Sequence, residues 1–140
     1  MVDLIFEKEN ASTLEMKNVH NTMLDVFEEL VRLENYSGPV QMGVWELEYS
    51  YLLEKYKICI ESERGFITIT VKNDKNEIFY PSLIYSEANY FHFADVEKDV
   101  RQLICLTKKA IVENEIKFFS IEEIRKQNEK KIKEAYKKFQ

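Results

Sequence analysis

The chain has few of the residues that build catalytic and metal sites. Its 140 residues include two cysteines and two histidines, and no two of these four lie at the short spacing of a structural zinc site. With three glycines and no glycine-rich loop, it also has no phosphate-binding motif. The sequence therefore predicts no metal, no cofactor and no catalytic residue.

Long apolar runs and a targeting sequence are missing as well. No apolar stretch approaches the roughly 18–20 residues that span a bilayer. The first ten residues carry Asp3, Glu7 and Glu9 in place of the basic start of a signal peptide. Cys59 and Cys105 lie within apolar patterns, as small buried side chains do in a reducing compartment. We expect a cytoplasmic protein without a disulfide.

The composition that is present indicates one folded domain. Hydrophobic residues make up 45% of the chain and charged residues 32%, which is too apolar for a disordered protein. The length is sufficient for a core without disulfide or metal support. We find no linker, repeat or low-complexity segment, so the sequence predicts a single domain over residues 1–140.

The net charge of −5 conceals a gradient along the chain. Residues 1–63 carry 5 Lys and Arg against 13 Asp and Glu, residues 64–119 carry 8 against 8, and residues 120–140 carry 7 against 4. The acidic first half disfavours nucleic acid and favours a basic partner. The C-terminal lysines alternate with glutamates, which is typical of a solvated helix. We therefore expect neither a nucleic-acid nor a membrane partner.

Apolar spacing predicts a long first helix. Ser12 and Glu15 form a capping-box pattern at its start, and Gly38-Pro39 is predicted to end it. Between them, apolar residues recur every three or four positions. This stripe consists of Met16, Val19, Met23, Val26, Phe27, Leu30 and Leu33.

The stretch from Met42 to Val71 alternates between apolar and polar residues, which predicts half-buried strands. Turns are predicted near Glu54-Lys55, at residues 62–65 and at residues 73–76, which join the strands into an antiparallel meander. A further strand is predicted at residues 77–80, and residues 83–85 are a candidate for one more.

Two helices are predicted after the sheet. Asp95 caps the first, whose stripe contains Val96, Val100, Leu103, Ile104, Thr107, Ala110 and Ile111. A second capping box at Ser120 and Glu123 begins the last helix, whose apolar face is interrupted by Gln127 and Asn128. The fold class predicted is α+β, an antiparallel meander of about four to five strands flanked by an N-terminal helix and two C-terminal helices. We expect the helices to cover one sheet face and to leave the acidic face open.

Two sets of residues in the central strands are candidates for binding a partner. One face carries Trp45, Tyr49 and Tyr51, and the other carries Glu46, Glu48, Glu61 and Glu63. Which set is available depends on which sheet face is exposed. Glycosidases also use paired carboxylates, but the short loops predicted here leave no sugar-sized cleft. The sequence therefore favours a non-catalytic, protein-binding module.

In size, acidic balance, tyrosine-rich sheet and lack of catalytic residues, the chain resembles the small cytosolic immunity proteins of bacterial polymorphic-toxin systems. The resemblance is one of general character across the whole chain. It implies inhibition of a cognate toxin, often a basic nuclease, through an acidic and aromatic surface that occludes the active site.

Two alternatives come from other classes of protein. One is a small-ligand-binding or enzymatic domain with a pocket centred on Tyr85, Tyr90 and His92. The other is a structural homodimer that pairs edge strands or packs its C-terminal helices against each other. A perturbed His92 in a deep pocket would favour the first alternative, and concentration-dependent mass would favour the second.

Overall fold

Within residues 4–6, 9–63, 66–81 and 96–137, which the computed structural model describes, the chain forms three α-helices and one five-stranded antiparallel sheet. The order is one helix, five strands and two helices, which confirms the predicted α+β class. The elements are α1 (Ala11–Phe27), β1 (Val31–Ser37), β2 (Trp45–Tyr51), β3 (Tyr56–Glu63), β4 (Phe66–Lys72), β5 (Ile78–Phe79), α2 (Val96–Val112) and α3 (Ile121–Lys137).

The sheet is a simple meander in which each strand pairs with the next along the chain. In the hairpin of β3 and β4, Glu63 pairs with Phe66, so the predicted turn at residues 62–65 falls partly within β3, and residues 64–65 lie outside the described part of the chain. The predicted turn at residues 73–76 is confirmed. There the Asn73 side chain accepts hydrogen bonds from the backbone N–H groups of Lys75 and Glu77.

The first helix is shorter than the apolar spacing predicts. It ends at Phe27, because Glu28 takes a φ of 54° that leaves the helical conformation. A short 3₁₀ turn at Glu28–Leu30 follows, and Val31–Ser37 is strand β1. The prediction of one helix as far as Leu33 was therefore wrong, since that segment pairs with β2.

The start of α1 also differs from the prediction. Asn10 is the N-cap, and its Oδ1 accepts a hydrogen bond of 3.0 Å from the backbone N–H of Thr13. The Thr13 hydroxyl in turn accepts from the backbone N–H of Asn10 at 2.8 Å. The capping box predicted at Ser12 and Glu15 was therefore wrong. Because Asn10 caps the helix, the Glu15 carboxylate is free to contact the sheet.

The core forms where α1, α2 and one face of the sheet meet. Helix α1 contributes four apolar side chains to it, and α2 contributes a stripe that runs from Val100 to Ala110. The strands contribute alternate residues, as expected for a sheet covered on one side. The largest fully buried side chains include Trp45, Tyr49, Phe27, Phe79, Met16, Met23 and Leu47.

The chain returns to the sheet edge after α2. The backbone N–H of Ile78 donates to the carbonyl of Phe119 at 2.7 Å, and the Phe119 N–H donates back at 2.8 Å. Helix α3 begins just beyond this bridge, where the Ser120 hydroxyl accepts from the backbone N–H of Glu123 at 3.1 Å. This confirms the predicted cap at Ser120. None of the residues of α3 is buried.

Several predictions fall on residues that the structure does not describe. They are the candidate strand at residues 83–85, the cap at Asp95 and the pocket around Tyr85, Tyr90 and His92. In the part of the chain that is described, no helix has both the length and the apolar character needed to cross a bilayer.

Candidate protein-binding face

The structure decides which sheet face is covered. Trp45, Tyr49 and Tyr51 point towards α1 and α2, and their exposed fractions are 1%, 0% and 5%. They are core residues and are inaccessible to a partner in this conformation, which corrects their place among the candidate binding residues. The four glutamates lie on the opposite side of the sheet.

We call this opposite side the outward face. It is formed by the strand residues that alternate with the core positions, and no described helix packs on it. Most of its side chains are half-buried or exposed. It contains Arg32 and Glu34 of β1, Glu46, Glu48 and Ser50 of β2, Lys57, Cys59, Glu61 and Glu63 of β3, and Thr68, Thr70 and Lys72 of β4.

The strand register brings the four glutamates together at one end of the outward face, which we call the acidic end. Glu46 lies directly opposite Glu61. Glu48 is two residues further along β2, and Glu63 is two residues further along β3. Directly opposed residues in an antiparallel pair have Cβ atoms about 4.5–5.5 Å apart, and like charges in this position are destabilising. Two inner strands of the sheet therefore hold a repulsive pair at the acidic end.

Charges at the other end of the outward face are neutralised locally. Arg32 Nε lies 2.9 Å from Glu34 Oε1, and the Ser50 hydroxyl donates to the same oxygen at 2.6 Å. The hydrogen bond from Ser50 has the larger effect and that from Arg32 the smaller, and together they hold the pKa of the Glu34 carboxyl below its ordinary value. Lys57 Nζ lies 3.4 Å from Glu48 Oε1, so one cation reaches towards the acidic end.

The remaining carboxylates of the acidic end are not paired in this way. Among the described residues, Glu46, Glu61 and Glu63 have no cationic side chain within ion-pair distance. Glu61 and Glu63 are exposed, and Glu46 is half-buried between its neighbours. The acidic end is thus a set of carboxylates whose charge is available to cations from outside the described chain.

Cys59 lies on the outward face between the glutamates, yet only 5% of it is exposed. Burial raises the pKa of the Cys59 thiol to about 11, so it stays protonated near neutral pH and is a poor nucleophile. Both cysteines are free, but Cys105 is exposed on α2. The prediction that both thiols are buried was correct for Cys59 and wrong for Cys105.

Two polar contacts beneath the sheet were not predicted. Glu15 Oε1 accepts hydrogen bonds from Trp45 Nε1 at 3.0 Å and from the Ser62 hydroxyl at 3.1 Å. The His20 ring stacks on Tyr49, with its Nδ1 2.7 Å from the Tyr49 hydroxyl. In the sequence, the one available indication of the first contact was Ser62, a polar residue on the otherwise apolar inward face of β3. Both contacts join α1 to the covered sheet face, so their role is structural.

Grooves are present elsewhere on the described surface. One of about 640 Å³ runs between α1 and the start of α2, where Arg101 Nη1 lies 2.7 Å from Asp25 Oδ2. Another of about 510 Å³ lies beside Lys57 and Lys72, at the end of the outward face away from the glutamate pair. No group of three or more His, Cys, Asp or Glu residues in the described part is arranged to hold a metal ion.

Comparison of the chain with protein-family models, with curated proteins and with solved structures returns no match. The geometry of the acidic end is therefore the basis on which a function is assigned.

Proposed function

We propose that this chain is a non-catalytic, protein-binding module that holds a basic protein at its acidic end. The observation that carries the proposal is the pair formed by Glu46 and Glu61, opposed across two central strands on a face that no described helix covers. Such a pair costs the free protein about 0.2–1 kcal/mol. A partner cation placed between the carboxylates would turn this repulsion into attraction.

The surroundings of the pair suit this role. The glutamates stand on paired strands, which set the spacing of their Cβ atoms before a partner arrives and so lower part of the entropic cost of binding. Each hydrogen bond from a lysine or arginine to such a carboxylate is worth about 1.5–3 kcal/mol. The charge of the first 63 residues also attracts a basic partner over a longer range and speeds association.

Within this proposal the partner is a basic toxin domain, and the protein acts in the cytoplasm as an immunity protein. The support is the general resemblance to that class together with the open acidic face. Because Trp45, Tyr49 and Tyr51 are in the core, recognition falls to Glu46, Glu48, Glu61 and Glu63. Inhibition would follow from covering the cationic surface that a nuclease uses to bind phosphates.

The proposal is tested by co-purification from the native host, with the products of the neighbouring genes co-expressed. The tagged wild-type chain is compared with Glu46→Gln/Glu61→Gln, which removes the charge and keeps the side-chain shape. The control, Glu29→Gln/Glu113→Gln, changes the charge equally at exposed positions outside the acidic end. Wild type and control should retain a basic protein that the interface variant loses.

Two results would contradict the proposal. One is that no basic protein is retained by the wild-type chain under these conditions. The other is that the interface variant and the control retain it equally, which would place the binding surface elsewhere.

A further inference from the structure

Helix α3 carries an apolar stripe that is exposed in the described chain except at Ile124, which is half-buried. Ile121 is 60% exposed, Ile132 is 56% exposed and Tyr136 is 71% exposed, and no residue of the helix is buried. A helix with one apolar face is stabilised mainly by packing of that face, because in proteins tertiary packing contributes more to helix stability than intrinsic propensity does. The stripe is therefore suited to contact another surface.

Five positions along the stripe are spaced symmetrically about Asn128, and Tyr136 lies outside this symmetric set. Ile121, Ile124, Asn128, Ile132 and Ala135 follow one another at intervals of three, four, four and three residues. The pattern thus has the same spacing in either chain direction, which is what a helix needs to pair with a copy of itself in antiparallel orientation. In that arrangement Ile121 meets Ala135 of the second copy, Ile124 meets Ile132, and the two Asn128 side chains meet on the symmetry axis.

Charges beside the stripe select the antiparallel orientation. Arg125 and Glu129 lie on the same flank of the helix, one turn apart. In an antiparallel pair the same flank of each helix lies on the same side of the interface. Arg125 of each copy therefore faces Glu129 of the other, which gives two equivalent contacts. A parallel pair would instead bring the two C-terminal halves together. Each half contains four lysines and one glutamate, so the two halves would repel each other; these residues are Lys130, Lys131, Lys133, Lys137 and Glu134.

We propose that α3 binds α3 of a second copy of this chain, antiparallel about a two-fold axis at Asn128. Paired Asn side chains inside a helix interface fix its register and lower its stability. The helix is also only roughly 25 Å long at 1.5 Å per residue. The dimer is therefore expected to be weak, with a dissociation constant on the order of micromolar.

The first test uses a cysteine on the proposed axis. In a Cys105→Ser background, Asn128→Cys places two thiols face to face, and mild oxidation should give a disulfide-linked dimer on a non-reducing gel. Lys130→Cys, exposed on the opposite side of the same helix, is the matched control and should cross-link at least about tenfold more slowly, since the position does not approach itself. Equal rates at the two positions would overturn the proposal.

The second test measures mass by sedimentation across a concentration series. The unmodified chain should pass from monomer to dimer, and Ile124→Glu should stay monomeric while keeping the wild-type circular dichroism spectrum. Arg125→Glu should weaken the dimer about tenfold, and Arg125→Glu/Glu129→Arg should restore it, because the reversed charges again face each other.

Three results of the sedimentation experiment would overturn the proposal. The unmodified chain could stay monomeric at concentrations of about 1 mM, far above the expected dissociation constant. Ile124→Glu could dimerise like the unmodified chain. Alternatively, Glu46→Gln/Glu61→Gln could abolish the dimer, which would mean that the basic end of α3 docks on the acidic end of the second copy.

Discussion

Glu15 accepts two hydrogen bonds from the sheet and is the polar link between α1 and strands β2 and β3. Replacing it with alanine leaves the Trp45 N–H and the Ser62 hydroxyl without this acceptor in a largely water-free site. We expect Glu15→Ala to lower the free energy of unfolding by about 2 kcal/mol. Urea denaturation followed by the fluorescence of the single tryptophan measures this. Glu15→Gln is the control, because its amide oxygen still accepts, and it should lose clearly less.

The two cysteines should differ sharply in reactivity. The pKa of Cys59 is raised by burial to about 11, so the fold favours its neutral thiol. The resulting contribution to stability is fully present below the unfolded pKa of about 8.5 and is lost as the pH rises through 11. At pH 8 only about one Cys59 thiol in a thousand is ionised.

A disulfide reagent at pH 8 should therefore label one thiol at once in the folded protein, and the second only after denaturant is added. The rapid thiol should disappear in Cys105→Ser, since Cys105 is the exposed one. Rapid labelling of two thiols in the folded wild-type chain would contradict the burial of Cys59.

At the scale of elements, the period of the apolar pattern predicted most of the fold. Alternation identified β2, β3 and β4, and the turns between them followed from residues such as Asn73. The end of α1 was missed because Leu30 and Leu33 continue the helical spacing, although Val31 and Leu33 equally fit a strand. Only pairing with β2 decides between these two periods, and that pairing is a tertiary contact.

For the candidate site, the sequence predicted which residues share a strand face but not which face is exposed. The alternation in β2 places Glu46 and Glu48 on one face and Trp45 and Tyr49 on the other, whatever packs there. Which of these faces α1 and α2 cover depends on contacts between elements distant in the chain. The Glu46–Glu61 pair likewise required the register of β2 against β3.

Helix α3 offers a prediction of its own, because it contributes nothing to the core. A chain that ends at Ser120 keeps the Phe119 bridge to β5 and should remain folded, with its free energy of unfolding changed by less than about 1 kcal/mol. It should also be monomeric at every concentration if α3 forms the dimer. Thermal unfolding and sedimentation together measure both properties. A loss of several kcal/mol would show that α3 supports the domain after all.

For the whole molecule, the two proposed surfaces use different residues and opposite charge. The acidic end draws on the first 63 residues, which carry 5 basic against 13 acidic side chains, and α3 belongs to the basic last segment. A dimer formed through α3 uses none of the four glutamates of the acidic end. Such a dimer would have two equivalent sites, and binding to a partner that also has two sites would gain from avidity.

At the acidic end, we expect a substitution that stabilises the free protein to weaken its binding to the partner. Removing one charge of the opposed pair in Glu61→Gln should raise the free energy of unfolding of the free protein by about 0.2–1 kcal/mol, because the repulsion from Glu46 is relieved. The same change should weaken binding of the basic protein recovered by co-purification.

The stability gain should shrink in about 1 M salt, where the screening length falls to about 3 Å. Urea denaturation at low and high salt measures it, with Glu113→Gln as a control for the loss of an exposed charge elsewhere. If Glu61→Gln destabilises the protein, or if its gain is the same at both salt concentrations, charge repulsion is not what the opposed glutamates contribute. The energetic argument for a cationic partner at this face would then no longer hold.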